Sequence, residues 1–87
     1  MLSPASILIK IQPGIDYSTD SIHNSIFSIH CTKTNTCPVK ITTYIGSEVE
    51  FPPYSFINGA VYHIFVKKIE FEEDKAGFIG YKSASLD

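Results

Sequence analysis

The chain has no arginine and no tryptophan, one methionine and two cysteines among its 87 residues. Lack of arginine removes the planar fork that grips phosphate and carboxylate groups in two-point fashion. Charge is scarce as well, at 18% of residues, and the net charge is −2. The lysines form no block: only Lys67 and Lys68 adjoin, and Glu70, Glu72, Glu73 and Asp74 follow at once. A nucleic-acid surface needs a basic stripe with interleaved aromatics, so nucleic acid is not expected as a partner. No apolar run reaches the roughly 18 residues that cross a bilayer, so no membrane partner is expected either. The opening residues MLSPASILIKIQPG lack the basic region and apolar stretch of a signal peptide, which points to synthesis in a cytoplasm.

Helical periodicity is the remaining absence. No stretch keeps a 3.6-residue apolar period for three turns, whereas Ile, Thr, Ser, Tyr and Phe, the residues of pleated surfaces, abound. Ile7, Ile9 and Ile11 alternate with Leu8 and Lys10 up to the Pro13-Gly14 turn. Residues 16–24 are rich in Asp, Ser, Thr and Asn and read as a loop. Phe27, Ile29 and Cys31 then alternate with Ser28 and His30, and TKTNT reads as a hairpin loop. Cys37, Val39, Ile41 and Ile45 continue the inward series, and after Gly46-Ser47 so do Val49 and Phe51. A long strand is expected from about Ala60 to Phe71, a solvated turn over EFEEDK and a last strand from Gly77 to Lys82. This pattern predicts one all-β domain over 1–87, a small antiparallel β-sandwich or jelly-roll-like barrel of about five to seven strands. Residues 1–4 and 84–87 are expected at its periphery.

The long strand raises a question of cover. Its odd face carries Val61, His63, Phe65, Ile69 and Phe71, and its even face begins with Tyr62, Ile64 and Val66. Apolar residues on both faces require a cover on both sides. For Tyr62, Ile64 and Val66 that cover is either the chain's own 13–24 loop or another copy, which makes the three a candidate subunit interface. Oligomerisation also suits a small domain, because a chain of this size buries only about 60–65% of its unfolded surface.

Candidate chemistry is thin. Cys31 and Cys37 flank the TKTNT loop and read either as buried free thiols or as a cross-strand disulfide. Their spacing lacks the paired CxxC pattern of a zinc site, and EFEEDK lacks the spaced oxygen ligands and glycine of a calcium loop. His23, His30 and His63 have neither an orienting group nor an oxyanion hole signalled beside them. No catalytic residue, metal site or cofactor is therefore expected. Tyr44, Tyr54 and Phe56 offer a second possibility, an aromatic platform of a carbohydrate- or surface-binding module.

The succession TDSIHNSIFSIHC, VKITTYIGSEVEF, SFINGAVYHIFVKKIEF and GFIGYK resembles small β-rich virion proteins of tailed bacteriophages. The matching features are Asp20-Ser21, Phe27–Ile29, Gly46–Phe51, Gly59, Val66–Ile69 and Phe78–Tyr81, within a span of about 65 residues. The resemblance implies an oligomeric structural protein of the capsid surface, neck, or spike or fibre base. Its partners would be other copies of itself and a larger capsid or tail protein, and its place the virion. Such proteins often carry Gly-Thr-Thr-Ala before the last strand, where this chain has EEDKAG.

Overall fold

The computed structural model describes residues 7–17 and 26–82. The expected strand positions 5, 6 and 25, most of the polar 16–24 loop with Asp20, Ser21 and His23, and both peripheral segments lie outside the described residues. Among the described residues seven strands form: β1 (Ile7–Lys10), β2 (Ile26–Lys33), β3 (Val39–Thr43), β4 (Glu48–Phe51), β5 (Val61–Tyr62), β6 (Val66–Glu70) and β7 (Gly77–Lys82). One 3₁₀ turn occurs among the described residues, Glu73–Lys75, and it forms the expected solvated turn. The strands make one antiparallel sheet in the order β1-β7-β2-β6-β3-β4, with β5 also on β2, and the sheet is not closed into a barrel.

The expected long strand is interrupted. At its centre the Ile64 N–H donates to the Tyr62 carbonyl at 3.1 Å, a three-residue turn around His63. Before this turn the chain pairs with β2, opposing Tyr62 to Ile29 and Val61 to His30. After it, only Val66 still meets β2, at Ile26, and the strand moves over to β3. There Thr42 faces Lys68 while Thr43 faces Val66, so Lys67 is an extra, bulged residue. A bulge shifts side-chain alternation by one. Tyr62, Ile64 and Val66 therefore turn inward before it and Ile69 and Phe71 after it. The expected inward positions Val61, His63 and Phe65 are exposed instead.

The sheet folds over itself about this bent strand, so that Phe71, next to β6, meets Phe78 of β7 with ring centres 5.5 Å apart. Between the two halves lies one cluster, built from Ile26, Ile29 and Cys31 of β2, Val39 and Ile41 of β3, Val66 and Ile69 of β6, and Phe78. Ile26 joins it despite its even position because Phe27 is itself a bulge: Ile26 faces Lys82 while Ser28 faces Tyr81. Residues 11–17 run from β1 to β6, where the N–H groups of Gly14 and Tyr17 donate to the carbonyls of Ile69 and Lys67. Ile45, expected inside, sits in the β3–β4 turn and is 90% exposed.

Gly80 marks the tightest place in the core. A Cβ there would lie 3.1–3.2 Å from methyl carbons of Ile26 and Ile11. Both isoleucines are buried, so neither can swing aside into water. Gly80→Ala is expected to destabilise the fold by about 1–3 kcal/mol, the usual cost of overpacking, as read by chemical denaturation. Gly77→Ala serves as the comparison. Its Cβ would meet the Thr32 hydroxyl, which stands on an exposed side chain free to rotate.

Candidate functional site

Tyr62, Ile64 and Val66 are covered from within the protomer. Val66 is fully buried, and Tyr62 and Ile64 pack against the same cluster. The expected subunit interface at these three residues is thus corrected to a part of the protomer's own core. Phe56, in the loop between β4 and β5, covers Tyr62, its ring standing edge-on at 5.0 Å. The Tyr62 hydroxyl also accepts the Ile57 N–H at 3.0 Å. From the 13–24 loop, Tyr17 packs against the cluster as well.

The aromatic platform does not assemble. Phe56 is 2% exposed, at the centre of contacts with Phe51, Tyr62 and Phe78 at 5.0–5.3 Å. Tyr44 and Tyr54 lie beyond opposite ends of β4, and the half-buried Tyr44 donates its hydroxyl to the Tyr17 carbonyl at 2.9 Å. Tyr54 alone is well exposed, in a left-handed backbone conformation with φ of 68°.

Cys31 and Cys37 are buried free thiols. The hairpin that would have set them opposite each other does not exist, because β6 lies between β2 and β3 in the sheet. Residues 34–38 instead cross from one half of the fold to the other. Burial raises the Cys31 thiol above its ordinary value, which keeps it protonated and unreactive at neutral pH.

On the outer face of β2, Ser28 shares a hydrogen bond with His63 Nδ1 at 2.9 Å, and His30 Nδ1 with the Tyr81 hydroxyl at 2.8 Å. Ser28 is 1% exposed, so its hydroxyl is out of reach of a substrate, and the pair acts as a clasp between β2 and the His63 turn. No cluster of three or more His, Cys, Asp or Glu side chains suited to a metal ion occurs among the described residues.

Two surface depressions are lined by described residues. One, of about 330 Å³, has Ile11, Phe71, Ala76 and Phe78 in its lining, together with charged Lys10, Lys33, Glu73 and Asp74. The Lys33 ammonium is already engaged with the Asp74 carbonyl across it. The other, of about 320 Å³, is walled by Thr43, Tyr44, Ile45, Ser47 and Phe65, almost entirely through carbon. Phe65 and Ile45 were both assigned inward by alternation. The break at 63–65 and the β3–β4 turn release them to the surface, where Phe65 is 54% exposed.

The ends of the sheet are exposed too. Among the described residues β1 and β4 are its terminal strands. On β1, Ile9 and Ile11 face the core while Leu8 and Lys10 point outward. On β4, Val49 and Phe51 stand opposite the buried Ile41 and Val39, which leaves Glu48 and Glu50 on the outer face beside Lys40. Lys40 lies 3.7 Å from both Glu48 and Glu70. Comparison with known protein families, curated proteins and solved structures returns no match for this chain.

Proposed function

We propose that this chain is a structural interaction protein that works as an oligomer, in the manner of small virion components of tailed bacteriophages. Supporting this is the amount of large apolar surface left outside the core: Ile45 is 90% exposed, Leu8 67%, Phe65 54% and Val49 53%. A single exposed apolar side chain needs no explanation, but several around a small core favour burial between copies or against a larger shell protein. The mechanism is adhesion through strand edges and turns. The virion placement rests on the sequence resemblance, with capsid decoration, neck and spike base as the positions it suggests.

Sedimentation of the isolated chain over a range of concentrations tests this reading. The expected species has a mass that is a multiple of the 9.7 kDa protomer. Reductant is expected to leave it unchanged, because neither buried thiol is available for an intermolecular bond. A monomer at every concentration would overturn the proposal.

A further inference from the structure

We propose that copies associate head to tail, β4 of one copy pairing antiparallel with β1 of the next, so that one sheet continues through the contact. This rests on the self-association reading above and names the surfaces that carry it. Terminal strands present unpaired backbone donors and acceptors, which makes them natural templates for another strand. Here the two ends of the sheet are complementary. The described edge residues are Ile7–Lys10 at one end and Glu48–Phe51 at the other.

Setting Val49 opposite the partner's Ile9 places apolar side chains on the core side, with Phe51 opposite the partner's Ile7. The same register puts Glu48 opposite the partner's Lys10 and Glu50 opposite the partner's Leu8, on the outer side. Lys10 and Glu50 have no charged partner among the described residues, and this contact sets an opposite charge across from Lys10. Opposite charges directly across a strand pair stabilise it and like charges oppose it. Pairing would also cover Ile7, Leu8 and Val49, three of the large apolar residues exposed on the protomer.

Symmetric pairing of two β4 strands is the poorer match. With Val49 opposite itself, Glu48 faces Glu50 twice; shifted by one residue, each glutamate faces an apolar side chain. The heterologous contact leaves a free β4 at one end and a free β1 at the other. It therefore repeats, closing into a ring or extending as a filament according to the rotation between copies.

Two charge reversals test the contact, Lys10→Glu and the double change Glu48→Lys with Glu50→Lys. Far-UV circular dichroism checks that each folds. Glu48→Lys alone is the fallback, since it alters only the glutamate that faces the partner's Lys10. By sedimentation velocity, each variant alone is expected to associate about tenfold more weakly than wild type, or worse. An equimolar mixture is expected to recover assembly, because each variant's altered edge then meets its opposite. Wild-type association that persists in both variants, or a mixture that stays dissociated, would overturn this interface while leaving self-association standing. A monomeric wild type would overturn both.

Discussion

Replacing Asn35 by alanine is expected to cost about 3–5 kcal/mol of stability, enough to bring an 87-residue domain close to unfolding. Asn35 is fully buried, in the connection that crosses between the two halves of the fold. Its Nδ2 donates to the Cys37 carbonyl at 2.8 Å and to the Pro52 carbonyl at 3.1 Å, and its Oδ1 accepts the Phe56 N–H at 2.9 Å. One side chain thus satisfies three backbone groups of two loops. Alanine would strand them in a site with little access to water, where each unsatisfied group costs about 1–3 kcal/mol. Asn35→Asp is the informative companion. It keeps an acceptor for Phe56 but turns a second oxygen toward two carbonyls, so its penalty should be larger at neutral pH than under acid conditions that protonate it. Urea denaturation measures both. A loss below about 1 kcal/mol for the alanine variant would show that the loops are held by other means.

Phe56→Ala is expected to be comparably severe, at about 3–5 kcal/mol. The ring is buried against Phe51, Tyr62 and Phe78 at once, and no other side chain can fill its place without leaving its own. A surface platform residue would respond quite differently, with a change within about 0.5 kcal/mol. Thermal or denaturant unfolding therefore separates the core role from the surface role directly. The two substitutions should not be additive, because the Phe56 N–H is bonded to the Asn35 side chain. Once either is lost, the loop that holds the other is already loosened.

These two residues also show where reading by pattern stops. Alternation identified β1, β3 and β4 with their inward faces, because each sets Ile, Val or Phe at every second position, while β7 was readable only as a strand, since Phe78 and Ile79 adjoin. It failed along 61–70, where one extra residue, Lys67, exchanges inside for outside without any mark in the hydropathy. Phe27 does the same to Ile26 in β2. Asn35 and Phe56 lie in loops, whose side-chain directions follow no period at all. TKTNT reads as a hairpin loop and Phe56 as a platform residue, yet each loop sends one residue, Asn35 or Phe56, to the centre. The surface candidates were displaced for the same reason. Phe65 and Ile45 passed for core residues, and the core residues Tyr62 and Val66 for an interface. The exposed edges β1 and β4 are unreadable without strand order, since sequence does not say which strands lack a neighbour.

The bent strand has a kinetic consequence. Residues 61–70 give their first part to β2 and their second to β3, so neither half of the molecule owns a complete set of neighbours. Neither can melt on its own, and unfolding should proceed as one step without a half-structured species. Folding is slowed for the same reason. Residues 7–10 must find 79–82, while the shared strand cannot settle on one half before the other has begun to gather. A chain that closes this late leaves its strand edges unpaired for longer, open to pairing with another chain before the sheet is complete.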